Sequence, residues 1–164
     1  MRDVAIISFA QLPPVARDVK RDEAELVQPV VTDALRRAGL ARAEIGFTVS
    51  GSCDYLIGRP FSFVSALDGV APWPPIAESH VEMDGAWALY EAWVRLQQGD
   101  LDTALVYGYG KSSLGDLPAI LTHQLDPYYL APLGVDATSL AALQARALLD
   151  SGRATERDLA AVAA

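Results

Sequence analysis

Short apolar runs and helically spaced apolar positions alternate along this chain. Val4 to Phe9 (VAIISF) is a β-branched, apolar run of the kind that becomes a buried strand, and Gln11 to Pro14 breaks it. From Leu26 the positions Leu26, Val30, Ala34, Leu35 and Ala38 mark one face of a helix closed by Gly39. Pro29 interrupts that spacing, which predicts a kink or a late start near Gln28. Ile45 to Val49 reads as the next strand, and Ser50-Gly51-Ser52 as the turn that ends it. Strand, helix and strand in this order is the βαβ pattern of a parallel sheet.

The stretch His80 to Asp100 organises the middle of the chain. A strand-like entry reaches Glu82-Met83-Asp84-Gly85, and from Ala86 the residues Leu89, Tyr90, Trp93, Val94 and Leu96 recur at helical spacing. Asp84 is placed to cap this helix, and Gly99-Asp100 ends it. A strand, a tight turn and a helix present side chains where unpaired backbone N–H groups converge. Asp102 to Gly108 is another buried-strand pattern, followed by Gly108-Tyr109-Gly110-Lys111, which lacks the rest of a dinucleotide fingerprint.

Gly69 to Pro75 (GVAPWPP) is a proline-rich connector, with Trp73 either walling a substrate or packing the loop. Ser112 to Gly134 reads as loop, with Pro118, Pro127 and Pro132 and the pair Tyr128 and Tyr129. Leu117, Ile120, Leu121, Leu125 and Leu130, with those tyrosines, line an apolar groove or pack on their own domain or a partner. Asp136 to Asp150 is a helix stopped by Ser151-Gly152, and Thr155 to Asp158 opens another with a capping box. Its short apolar continuation, Ala160 to Ala164, reads as a cut end. Two domains are expected, 1–111 as an α/β core and 112–164 as a loop region with helices.

The 164 residues, 51% hydrophobic and 21% charged, suffice for a sizeable core. A net charge of -8 argues against nonspecific nucleic-acid or anionic-membrane binding, which needs clustered Lys and Arg. The single cysteine, Cys53, excludes an internal disulfide and a multi-cysteine metal site and suits a reducing compartment. No apolar run approaches a membrane span, and the N-terminus lacks signal-peptide shape, so a cytoplasmic protein is expected. No helix pattern follows Cys53, which reads as a structural thiol.

The segment from His80 through Lys111 resembles the nucleophile region of the thiolase superfamily, N-terminal half, in its lipid-transfer-protein or sterol-carrier-type branch. There a strand ends at a cysteine in a Cys-x-Ser/Thr-Gly motif, and a helix runs from it to a Gly-Asp or Gly-Gly pair. A further strand then ends in a glycine-rich turn. Counting back from Gly99-Asp100 puts Gly85 on the motif glycine, Asp84 on its Ser/Thr and Glu82 on the cysteine. A Gly, a Thr and an acidic pair before a Leu-Ala helix, as at Gly152 to Ala160, resemble the family as well.

The resemblance implies an α/β, layered, thiolase-like half with a mostly parallel central sheet and a buried central helix. It implies an acyl-CoA-type substrate, with coenzyme A as part of the substrate and no covalently bound cofactor, and a homodimer or heteromer. Cysteine-lacking relatives include aldolases that work with a small OB-fold partner. Glu82 cannot form a thioester but can serve as a base or acid, assisted by Asp84 or His80. His80 and Glu82, two apart on a strand, point to one side. A satisfied half-buried histidine and two carboxylates complementing a helix dipole are the alternative reading, and with it a noncatalytic subunit or scaffold.

Overall fold

The computed structural model describes residues 1–58, 60–112 and 115–164 of the chain. It comprises two compact units, Met1–Gly115 and Asp116–Ala164.

The first unit is layered α/β. Its helices α1 (Glu23–Ala38), α2 (Asp54–Ile57), α3 (Ser62–Val70) and α4 (Gly85–Gln97) surround strands β1 (Phe47–Ser52), β2 (Glu78–Glu82) and β3 (Ala104–Gly108). The sheet is all parallel in the order β2-β1-β3. Every residue of β1 is buried, as expected of a central strand covered on both faces. Strand alternation sorts its side chains: Phe47 and Val49 pack with Ala88 and Ala92 of α4, while Tyr107 of β3 joins Val27, Val31, Leu35, Ala66 and Val70 from α1 and α3. The three carboxyl ends, at Ser52, Glu82 and Gly108, therefore share one edge of the sheet.

Four sequence expectations change. Val4 to Phe9 forms no strand, and Val4, Ile6, Ile7 and Phe9 are exposed. An apolar run becomes a strand only with a ladder partner; this one is held instead by its ends, where Arg2 bonds Gln97, Leu101 and Asp102, and Ser8 Oγ donates to the Ala34 carbonyl. Second, α1 begins at Glu23 rather than late, because Asp22 and Glu25 form a reciprocal capping box. Pro29 lies inside the helix on its exposed side, as does Glu25, whose carbonyl its ring deprives of an N–H. The buried stripe is Glu23, Val27, Val31 and Leu35, one residue away from most of the expected face; Leu26, Val30, Ala34 and Ala38 flank it.

Third, Ser50-Gly51-Ser52 continues β1 instead of ending it, for reasons that lie in the packing of α4 and in the site below. Fourth, the expected loop over Ser112 to Gly134, of which residues 113 and 114 lie outside the described residues, contains helix α5 (Leu117–Thr122) and a 3-10 turn, Ala131–Leu133. Pro118 and Pro132 stand in the first turns of these elements, where the missing N–H costs nothing.

Helix α4 buries Ala88, Ala92 and Leu96 against the sheet and shows Trp87, Leu89 and Tyr90 to solvent. In the second unit, α5 is followed by α6 (Ala137–Asp150) and α7 (Glu156–Ala163). Asp116, Asp136 and Thr155 cap them, the last in the expected box with Asp158. Tyr128 and Tyr129 stand exposed there, their N–H groups donating to Asp126.

Candidate functional site

The site grows from strand register. Ser50 pairs with His80 and Ser52 with Glu82 across β1 and β2, so these four side chains leave the same sheet face at its carboxyl edge. Ser50 Oγ lies 2.9 Å from His80 Nδ1, and His80 Nε2 lies 3.3 Å from Glu82 Oε2. Phe63 of α3 stacks on the imidazole at 4.3 Å between centroids with 12° between planes, fixing the ring orientation. A Ser50 O–H donating to Nδ1 with Nε2–H donating to Glu82 satisfies all three groups. The His80 side chain is 13% exposed and that of Glu82 51%, so the carboxylate meets solvent while the imidazole is walled in.

Asp54 completes the cluster. Its backbone N–H donates to Glu82 Oε1 at 2.7 Å. Its own carboxylate accepts from the Phe61 N–H, from the Ser62 N–H at 3.0 Å and from Ser62 Oγ at 2.6 Å. Burial pushes the Asp54 carboxyl up, but the Ser62 and Phe61 bonds, with His80 adding a smaller effect, outweigh it and hold the group below the usual range. Ser62 Oγ is also 3.0 Å from the Tyr109 hydroxyl. Burial raises the Tyr109 phenol, offset in part by Ser52 and Ser62. Among the described residues Ser52 Oγ is buried and meets no partner with hydrogen-bond geometry, although the Tyr109 hydroxyl is near enough for Ser52 to act on it.

His80 and Glu82 are thus brought together as a pair, whereas Asp84 has a different occupation. Its carboxylate accepts from the N–H groups of Ala86 at 2.9 Å and Trp87 at 3.2 Å, capping α4, and it makes no hydrogen bond to His80 or Glu82. Cys53 is half-buried at the start of α2, a short helix that the sequence did not signal. Ser50, Asp54, Ser62 and Phe63 were missed as members of the cluster. The period-two pairing of Ser50-x-Ser52 with His80-x-Glu82 was the available signal, but it becomes one only when the two strands are known to be neighbours in register. Two surface concavities, one along α1 and one at Leu35, Ile45 and Trp73, lie away from this cluster.

Chemically, the cluster offers an oriented imidazole beside a solvent-connected carboxylate, suited to moving a proton. No family model matches this sequence, and no curated protein matches it significantly. No helix among the described residues is long and apolar enough to cross a membrane.

Proposed function

We propose that this chain is a thiolase-like protein of lipid or steroid CoA-ester metabolism that cleaves carbon–carbon bonds in the aldolase manner, without a covalent cysteine. The observation that carries the reading is the Glu82 and His80 pair at the carboxyl edge of a parallel sheet, where such folds bind ligands. Glu82, at the motif position that the family's cysteine holds, is open to solvent and oriented by the Asp54 N–H and by His80. In a retro-aldol step it accepts the proton of a β-hydroxyl. The bond between the α and β carbons breaks, a carbonyl product leaves, and the electron pair passes to the thioester as an enolate that is reprotonated at the α carbon. Coenzyme A is part of the substrate, and the single cysteine fits a cytoplasmic setting.

A noncatalytic subunit of a heteromer is the second reading. It is favoured by the exposed Met83, Trp87, Leu89 and Tyr90 at the start of α4, an apolar surface suited to a homodimer or to another subunit, a small OB-fold protein included. The test is cleavage of a β-hydroxyacyl-CoA probe by the chain with whatever copurifies at native mass. Under the first reading Glu82→Gln lowers turnover at least about 100-fold with the melting temperature unchanged. Unchanged turnover removes Glu82 from the mechanism, and no turnover by the wild type favours the subunit.

A further inference from the structure

We infer that Asp54, His80 and Glu82 form a binding site for one divalent transition-metal ion, of which Zn²⁺ is the probe. The inference rests on the geometry of the cluster and not on the proposed reaction. Each residue offers one donor atom, and the three atoms lie within 4.8 Å of one another. Ligands about 2.0–2.2 Å from a common ion sit roughly 3–4 Å apart, so a modest side-chain adjustment, for which Glu82 is half-exposed, brings the set together. The spacing of 3.3 Å between His80 Nε2 and Glu82 Oε2 already falls in that range.

The donors have lone pairs to give. Glu82 Oε1 accepts the Asp54 N–H, leaving Oε2 facing the imidazole, and among the described residues Asp54 Oδ2 accepts the Phe61 N–H alone. An ion at Nε2 requires the proton on Nδ1, where Ser50 Oγ is placed to accept it at 2.9 Å. Such an outer partner fixes tautomer and ring orientation at metal-bound histidines, and the serine hydroxyl can turn from donor to acceptor. One imidazole with two carboxylates matches borderline divalent ions better than Ca²⁺ or Mg²⁺.

Ser52 is the independent observation. Its side-chain oxygen is sealed from solvent with no hydrogen-bond partner among the described residues, and it leaves the same sheet face as its register partner Glu82. Buried hydroxyls are rarely left so. Three protein ligands leave a coordination position for water, and a metal-bound water beside Glu82 supplies the partner that Ser52 lacks.

The experiment is a Zn²⁺ titration of the full chain at neutral pH by calorimetry, with melting curves confirming that each variant folds. One equivalent bound at micromolar or tighter affinity is expected. Glu82→Gln and His80→Ala should each weaken binding at least about tenfold. The chain's two histidines make the control simple: His123→Ala should leave binding unchanged. Absence of binding at millimolar Zn²⁺, or binding that survives Glu82→Gln or follows His123, overturns the site. Because binding is measured without substrate, its failure leaves the Glu82 base reading standing, and a failed cleavage assay leaves the metal site standing.

Discussion

Gly51 and Asp84 meet backbone to backbone: a Cβ on Gly51 would stand 2.2 Å from the Asp84 carbonyl oxygen and 2.8 Å from the Gly85 nitrogen. Gly108, the register partner of Gly51, also faces Gly85, less tightly: an added Cβ would stand 3.3 Å from its Cα. Three glycines thus let the first turn of α4 sit directly on the sheet, at the level where Ser50, Ser52, His80 and Glu82 project from the other face. Gly51→Ala should cost about 3 kcal/mol or more, since the obstacle is backbone and not a flexible side chain. Gly39→Ala is the comparison: its φ is +69° with nothing within 4 Å of the new Cβ, so only backbone strain of about 1 kcal/mol is expected. Urea unfolding of both variants measures the difference, and equal costs would contradict the contact.

Tyr107 carries a pH prediction. Burial pushes its phenol up to about 12 from the ordinary 10, against a smaller opposing effect of Ser50. The folded state therefore holds the proton more tightly than the unfolded state does. Its contribution to stability is complete below pH 10 and is lost as pH rises from 10 toward 12. Denaturant midpoints across that window should fall for the wild type and fall less for Tyr107→Phe.

The Asp22 cap decides where α1 begins. Its carboxylate takes the Glu25 N–H at 2.8 Å while Glu25 returns a bond to the Asp22 N–H at 2.9 Å. Asp22→Ala should cost about 1 kcal/mol. Hydrogen exchange should rise first at the N–H groups of Glu23 to Leu26.

Val49 is fully buried in the central strand and packs against Ala88 and Ala92. Val49→Ala should destabilise the first unit by about 2 kcal/mol, combining lost burial with an unfilled space. A change below about 0.5 kcal/mol in the midpoint-derived stability would mean that α4 collapses onto the gap.

Local chemistry determined much of this protein before any fold was known. The caps at Asp84, Asp136 and Thr155, the helical spacing that becomes α4, and the strand-helix-strand order of a parallel sheet all depend on near neighbours in sequence. The same-side placement of His80 and Glu82 is likewise a property of an extended strand. Where partners are distant, local signals misled. Val4 to Phe9 has strand composition without a ladder partner, and Ser50-Gly51-Ser52 has turn composition inside a buried strand. In the second case the tertiary structure supplies the reason: Gly51 is small because Asp84 and Gly85 press on it, and the two serines face the His80 cluster. Asp54 and Ser50 join that cluster only because β1 and β2 pair in one register across about thirty residues of chain. Sequence thus determined which groups the chain can offer; packing decided which of them meet, because hydrogen bonds and burial act over a few ångströms of space and not over positions in the chain.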